Sequence, residues 1–105
     1  MNRIEKLKEF LAGSPGDSFL LHALALEHVK IGDDEQARPI FEQLLAADPA
    51  YTGSYYHLGK LLERSGDPDS ARRVYQTGME ECKKAGDLHA LNELRNALEE
   101  ITEEH

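Results

Sequence analysis

The 105-residue sequence has no tryptophan, a single cysteine and only 7% aromatic residues. With Cys82 alone no internal disulfide can close, so nothing marks the chain for an oxidising compartment, and a cytoplasmic location is expected. Long apolar runs are missing too. The longest, Phe19 to Leu26, is short and contains His22, and the charges of the opening Met-Asn-Arg-Ile-Glu-Lys-Leu-Lys-Glu interrupt any signal core, so neither a membrane span nor an export signal is expected. Basic residues are scarce: 12 Lys and Arg against 20 Asp and Glu give a net charge of −8, which opposes phosphate backbones and argues against a nucleic-acid partner. Much of the acidic excess lies near the C-terminus, where Glu93, Glu99, Glu100, Glu103 and Glu104 face only Arg95, a pattern that reads as a solvated helix face or a fraying tail. Neither a glycine-rich phosphate loop nor a serine-centred elbow is present.

What is present is a soluble-type composition, 40% hydrophobic and 30% charged, in a chain the size of one domain. Its main feature is a repeat. Leu11, Ala12, Pro15, Leu24, Gly32, Asp33 and Ala37 recur 34 residues on as Leu45, Ala46, Pro49, Leu58, Gly66, Asp67 and Ala71. Within each unit the apolar residues fall at helical spacing in two stripes: Leu21, Leu24, Ala25 and His28, then Ala37, Ile40, Phe41, Leu44 and Leu45. The second unit repeats them as Tyr55, Leu58, Gly59 and Leu62, then Ala71, Val74, Tyr75, Gly78 and Met79. Ile31-Gly32-Asp33 and Ser65-Gly66-Asp67 separate the stripes. Each glycine can take the left-handed conformation that ends a helix, and each aspartate can cap the next one. The units are therefore hairpins of antiparallel helices, and the small residues Ala25, Gly59, Ala37 and Ala71 let the paired helices approach.

The doubled pattern resembles the tetratricopeptide-repeat family, carried by Leu24-Ala25, Ala37, Phe41 and Pro49 and then by Leu58-Gly59, Ala71 and Tyr75. The resemblance covers Ser18 to Lys84. It implies an all-α fold of antiparallel helix-hairpin repeats, an α-solenoid, in a single domain: repeat 1 over 18–51 and repeat 2 over 52–85. Residues 2–12, with Ile4, Leu7, Phe10 and Leu11, read as an N-terminal half-repeat helix, and 87–103, with Leu88, Leu91, Leu94, Leu98 and Ile101, as a C-terminal capping helix. The sequence departs from the family where Leu21 and Tyr55 replace its tryptophan, where Lys83 replaces its closing proline, and at Pro39, which should kink or strain its helix. The capping helix is also out of phase. The 34-residue register would bury His89, Asn92, Glu93 and Asn96, so either a one-residue slip in the connecting segment Lys83–Asp87 returns Leu88 and Leu91 to packing positions, or the helix turns its leucines toward the groove or a second subunit.

The family's first helices line a concave groove that holds a peptide. By resemblance, the groove here would comprise Phe19, His22, Ala23, Leu26, Val29 and Lys30, then Gly53, Tyr56, His57, Lys60, Glu63 and Arg64. Lys30, Lys60 and Arg64 against Glu63 make that surface net positive, so the expected partner is a polypeptide segment with apolar anchors and acidic residues, with Tyr56 and Phe19 as hot spots. The expected function is a protein-binding scaffold. The alternative is a homodimer or larger oligomer formed through an exposed Leu91, Leu94 and Leu98. No enzyme, cofactor or metal is expected. His22 and His28 sit on different helix faces, His28 belongs to the inward stripe, no third ligand joins His22 and His57, and Cys82 extends the stripe of Tyr75 and Met79.

Overall fold

The computed structural model describes residues 2–103. Met1, in the opening segment, and Glu104, in the acidic run, lie outside the described residues, as does His105. The regular elements among the described residues are α1 (Arg3–Gly13), α2 (Ser18–Lys30), α3 (Asp34–Ala47), α4 (Gly53–Arg64), α5 (Pro68–Ala85) and α6 (Leu88–Glu103). They form two compact units, Met1–Asp48 with α1 to α3 and Pro49–His105 with α4 to α6.

In the first unit α2 pairs with α3, and α1 packs on α2. Asn2 and Asp17 start their helices by accepting the amides of Glu5 and Leu20. Leu7, Ala23 and Leu24 form a buried cluster with Ile4, Leu11, Leu20 and Ile40 around it, while Ala25, Ala37, Phe41 and Leu44 are fully enclosed. The Ser18 hydroxyl donates to the Asp48 carboxylate at 2.6 Å, tying the start of α2 to the end of α3. α3 runs unbroken through Pro39. Pro39 and Glu35 are both exposed, so water can take the Glu35 carbonyl that the proline cannot serve.

In the second unit α5 packs on both α4 and α6. A Cβ on Gly59 would stand 2.0 Å from Cε1 of Tyr75, so only glycine allows the enclosed Tyr75 ring to lie against α4. That ring's hydroxyl donates to Glu63. Tyr55, the residue standing in for tryptophan, is buried and donates its hydroxyl to the Pro49 carbonyl at 2.6 Å. Gly78 lies where α4 and α6 meet α5, because a Cβ there would collide with Tyr55 and Leu94.

Three corners share one construction. Gly32, Gly66 and Gly86 have φ of 79°, 80° and 71°. The following amides of Asp33, Asp67 and Asp87 donate to the carbonyls of His28, Leu62 and Cys82 at 2.8, 2.9 and 3.0 Å. Their carboxylates then accept the amides of Gln36, Ser70 and Ala90. The third corner corrects the reading of Lys83–Asp87 as a connecting segment. With Lys83 in place of the closing proline nothing stops α5, which continues about one turn further than α3 and ends only at Gly86.

The longer α5 is followed by a shorter connection to α6 than the one that joins α3 to α4. The buried residues Ala90, Leu91, Leu94 and Ala97 of α6 match Ser54, Tyr55, Leu58 and Leu61 of α4 at a spacing of 36, two residues beyond the repeat, rather than through a one-residue slip. Leu91 is buried as that slip required, whereas Leu88 is 70% exposed. Leu94 is 0% exposed, Leu91 is 7% exposed and Leu98 is half-buried. Leu91 and Leu94, two of the three leucines named for an oligomer contact, thus belong to the unit's own core.

Candidate functional site

The residues expected to face a ligand divide between α2 and α4. On α2, Phe19 is 65% exposed at the first turn, and His22 is half-buried with its ring edge-on to Phe41 at 6.2 Å. Leu26 and Val29 are half-buried. Ala23 is not a surface residue: α1 lies against it, and it joins the buried cluster of the first unit. Lys30 is exposed, with its ammonium 3.6 Å from Glu27, a carboxylate that also holds Arg3 at 2.7 Å.

On α4, Gly53 opens the helix and is exposed, Tyr56, His57 and Lys60 are half-buried, and Arg64 is exposed in the last turn. Tyr56 and His57 meet edge to face at 5.7 Å. Lys60 places its ammonium 5.6 Å from the centre of the Tyr56 ring and 3.6 Å from each of Glu63 and Glu100. Glu63 also accepts the Tyr75 hydroxyl, whose proton is held far more tightly than usual by burial and by that hydrogen bond. Burial lowers the pKa of His57, outweighing the opposing pull of Glu93, so the ring is neutral near pH 7.

Tyr56 and Lys60 form one wall of a cleft of about 150 Å³ whose other wall is α6, contributing Glu93, Asn96, Ala97 and Glu100. Those four residues share a face of α6 through three- and four-residue steps. Ala97, 3% exposed, forms the small-residue floor that leaves the space open. Around Lys60 the local charge is negative rather than the net-positive expected from sequence, whereas on α2 the single carboxylate of Glu27 serves both Lys30 and Arg3. Lys60 stands among Glu63, Glu93 and Glu100, and Lys30 is paired with Glu27. The α6 residues were hidden in sequence because their acidic face reads as ordinary solvation. The signal for them was their spacing beside Ala97, which becomes informative only once α6 is phased on α4.

The remaining candidates for chemistry do not assemble. Among the described residues no three His, Cys, Asp or Glu side chains are grouped to hold a metal. His28 is buried in the stripe that continues from Leu24 and Ala25, as its spacing required. Cys82 is fully enclosed, and burial pushes its thiol up and away from the reactive thiolate. Among the described residues no helix is long and apolar enough to cross a membrane. Of the repeat-signature residues, Leu24, Ala25, Ala37, Phe41, Leu58, Gly59, Ala71 and Tyr75 are buried, while Pro49 is exposed beyond α3 with its carbonyl serving Tyr55.

Paired helices, small residues at their crossings and an accessible first-helix surface without a reactive constellation define a helical-hairpin repeat protein. The tetratricopeptide repeat family model matches residues 29–98, and the chain belongs to that family. A TPR repeat-containing protein of Pseudomonas aeruginosa is 28% identical over 98 residues, 93% of each chain. The crystal structure of a tetratricopeptide repeat domain protein from Salinibacter ruber is 41% identical, with a TM-score of 0.79, and the match covers 82% of this chain and 96% of that one. The solution structure of a Bordetella parapertussis protein is 26% identical, with a TM-score of 0.85 over 99% of this chain and 90% of that one. The family is a non-catalytic repeat fold that generally mediates protein–protein interaction.

Proposed function

We propose that this protein is a cytoplasmic binding module that holds a segment of another polypeptide and performs no catalysis. The segment would lie on the first helices of the hairpins, against Phe19, His22, Leu26 and Lys30 of α2 and Tyr56, His57, Lys60 and Arg64 of α4. One observation carries the reading: the half-exposed aromatic Tyr56 at the edge of a cleft whose floor is a small residue, an arrangement suited to receive a side chain rather than to react with one. Phe19 supplies a second aromatic anchor, on α2. The acidic character expected of the partner has less support than its apolar anchors, because Lys30 and Lys60 both lie against glutamates.

The test is affinity purification from the native cell with Tyr56→Ala as control. A partner that binds the wild-type chain with micromolar-class affinity and loses at least about tenfold on Tyr56→Ala, or about 1.4 kcal/mol, supports the reading. A partner held equally by both chains removes α4 from the binding surface.

A further inference from the structure

The cleft between α4 and α6 carries an inference about what its occupant must be. Its titratable lining consists of Lys60, Glu93 and Glu100, with Tyr56 as the aromatic wall and Asn96 and Ala97 completing the surface. Glu63 adds a third carboxylate at 3.6 Å from the Lys60 ammonium, and the neighbouring His57 is kept neutral by burial and so adds no positive charge near pH 7. The ion pairs of Lys60 engage Glu63 and Glu100 but not Glu93. Carboxylates outnumber the resident cation, and the π-face of Tyr56 adds a further attraction for positive charge.

We propose that this cleft receives an arginine side chain of the partner polypeptide, its guanidinium laid on the Tyr56 ring and hydrogen-bonded by Glu93 and Glu100. Lys60 itself shows that the site accepts a cation: it already holds an ammonium between an aromatic face and a carboxylate. A guanidinium fits the remaining demand better than a second ammonium. Its plane can stack on the ring while its fork of donors reaches toward carboxylates seven residues, about two turns, apart on α6. The amide of Asn96, between those glutamates, gives one more acceptor for a planar five-donor group. An acidic side chain entering here would meet Glu93 and Glu100 and would have to break the Lys60 pairs to be compensated. The inference rests on the polypeptide-binding reading and changes its partner from an acidic segment to one bearing arginine.

Titration of the isotopically labelled full chain with Nα-acetyl-arginine amide, followed by amide chemical shifts, tests it. The expected result is saturable shifts concentrated at Tyr56, Lys60, Glu93, Asn96 and Glu100, with affinity reduced roughly tenfold in the Glu93→Gln, Glu100→Gln double variant. Lys60→Ala, which removes the competing resident cation, should tighten the same probe several-fold, whereas a merely structural role for Lys60 would leave it unchanged. Equal binding by the double variant, or preferential seating of Nα-acetyl-glutamate amide in the cleft, overturns the proposal. A partner protein lost on Tyr56→Ala but retained by the double variant overturns the arginine site alone, and one retained by both variants overturns the wider reading.

Discussion

His28 occupies the position that Leu62 and Cys82 occupy at the other two corners, with its carbonyl taking the aspartate amide. Its side chain is the exception among the three. The residue is 7% exposed, and among the described residues its Nδ1 has no hydrogen-bond partner, with the Asp33 carboxylate 3.8 Å away and beyond bonding reach. A buried polar atom without a partner costs about 1–3 kcal/mol, so His28→Leu should stabilise the chain by about 1–2 kcal/mol in urea unfolding at neutral pH. No gain would mean that the histidine makes a contact worth keeping. Gly59 poses the opposite case. Helix propensity alone favours Gly→Ala by about 1 kcal/mol. The new methyl would, however, stand 2.0 Å from an enclosed aromatic ring, and overpacking of that kind costs about 1–3 kcal/mol. Gly59→Ala should therefore lower the melting temperature, and a rise would show that Tyr75 can move aside.

Among the helices, those carrying the 34-residue register lie where their apolar spacing places them, since each buries a stripe that the sequence displays directly. α6 was harder to place because its phase depends on where α5 ends and on the connection that follows, and α5 ends where a left-handed glycine is followed by a capping aspartate rather than where the repeat predicts. Gly86-Asp87 is the same dipeptide as Gly32-Asp33 and Gly66-Asp67, so the signal was present but out of period. Asp87 also has a second task. Its carboxylate accepts the Thr52 hydroxyl at 2.7 Å and the Ala90 amide at 3.1 Å, and Thr52, committed to that bond, makes no side-chain cap for α4. The Thr52 hydroxyl and then the Ala90 amide hold the Asp87 carboxyl below its ordinary pKa of 3.8. Because the folded value is the lower, the unfolded chain binds more protons in acid. The stabilisation is complete above 3.8 and is lost as pH falls through the folded pKa. Melting curves taken from about pH 5 downward should show Asp87→Asn narrowing its difference from wild type as the wild-type carboxyl protonates. A constant difference would mean that Asp87 acts by shape alone.

Across the whole molecule, net charge was legible in composition, whereas its local arrangement was not. Lys30, Lys60 and Arg64 suggested a basic face because a linear reading cannot see Glu100 approach Lys60 from a helix some forty residues away. A chain with net charge −8 whose cleft is rich in carboxylates should bind a cationic segment more weakly as salt rises, mainly through slower association. Dissociation constants measured at about 50 and 500 mM salt check this, and an affinity unmoved by salt would leave the binding to apolar anchors. The three glycine–aspartate corners have a wider consequence. The same joint serves at an in-period position and again where the period has ended, so helix length between joints can change without redesigning the joint. Such a chain has punctuation separate from its metre, and a helix lengthened by one turn, about 5.4 Å, can carry the next helix along its axis while every corner stays intact.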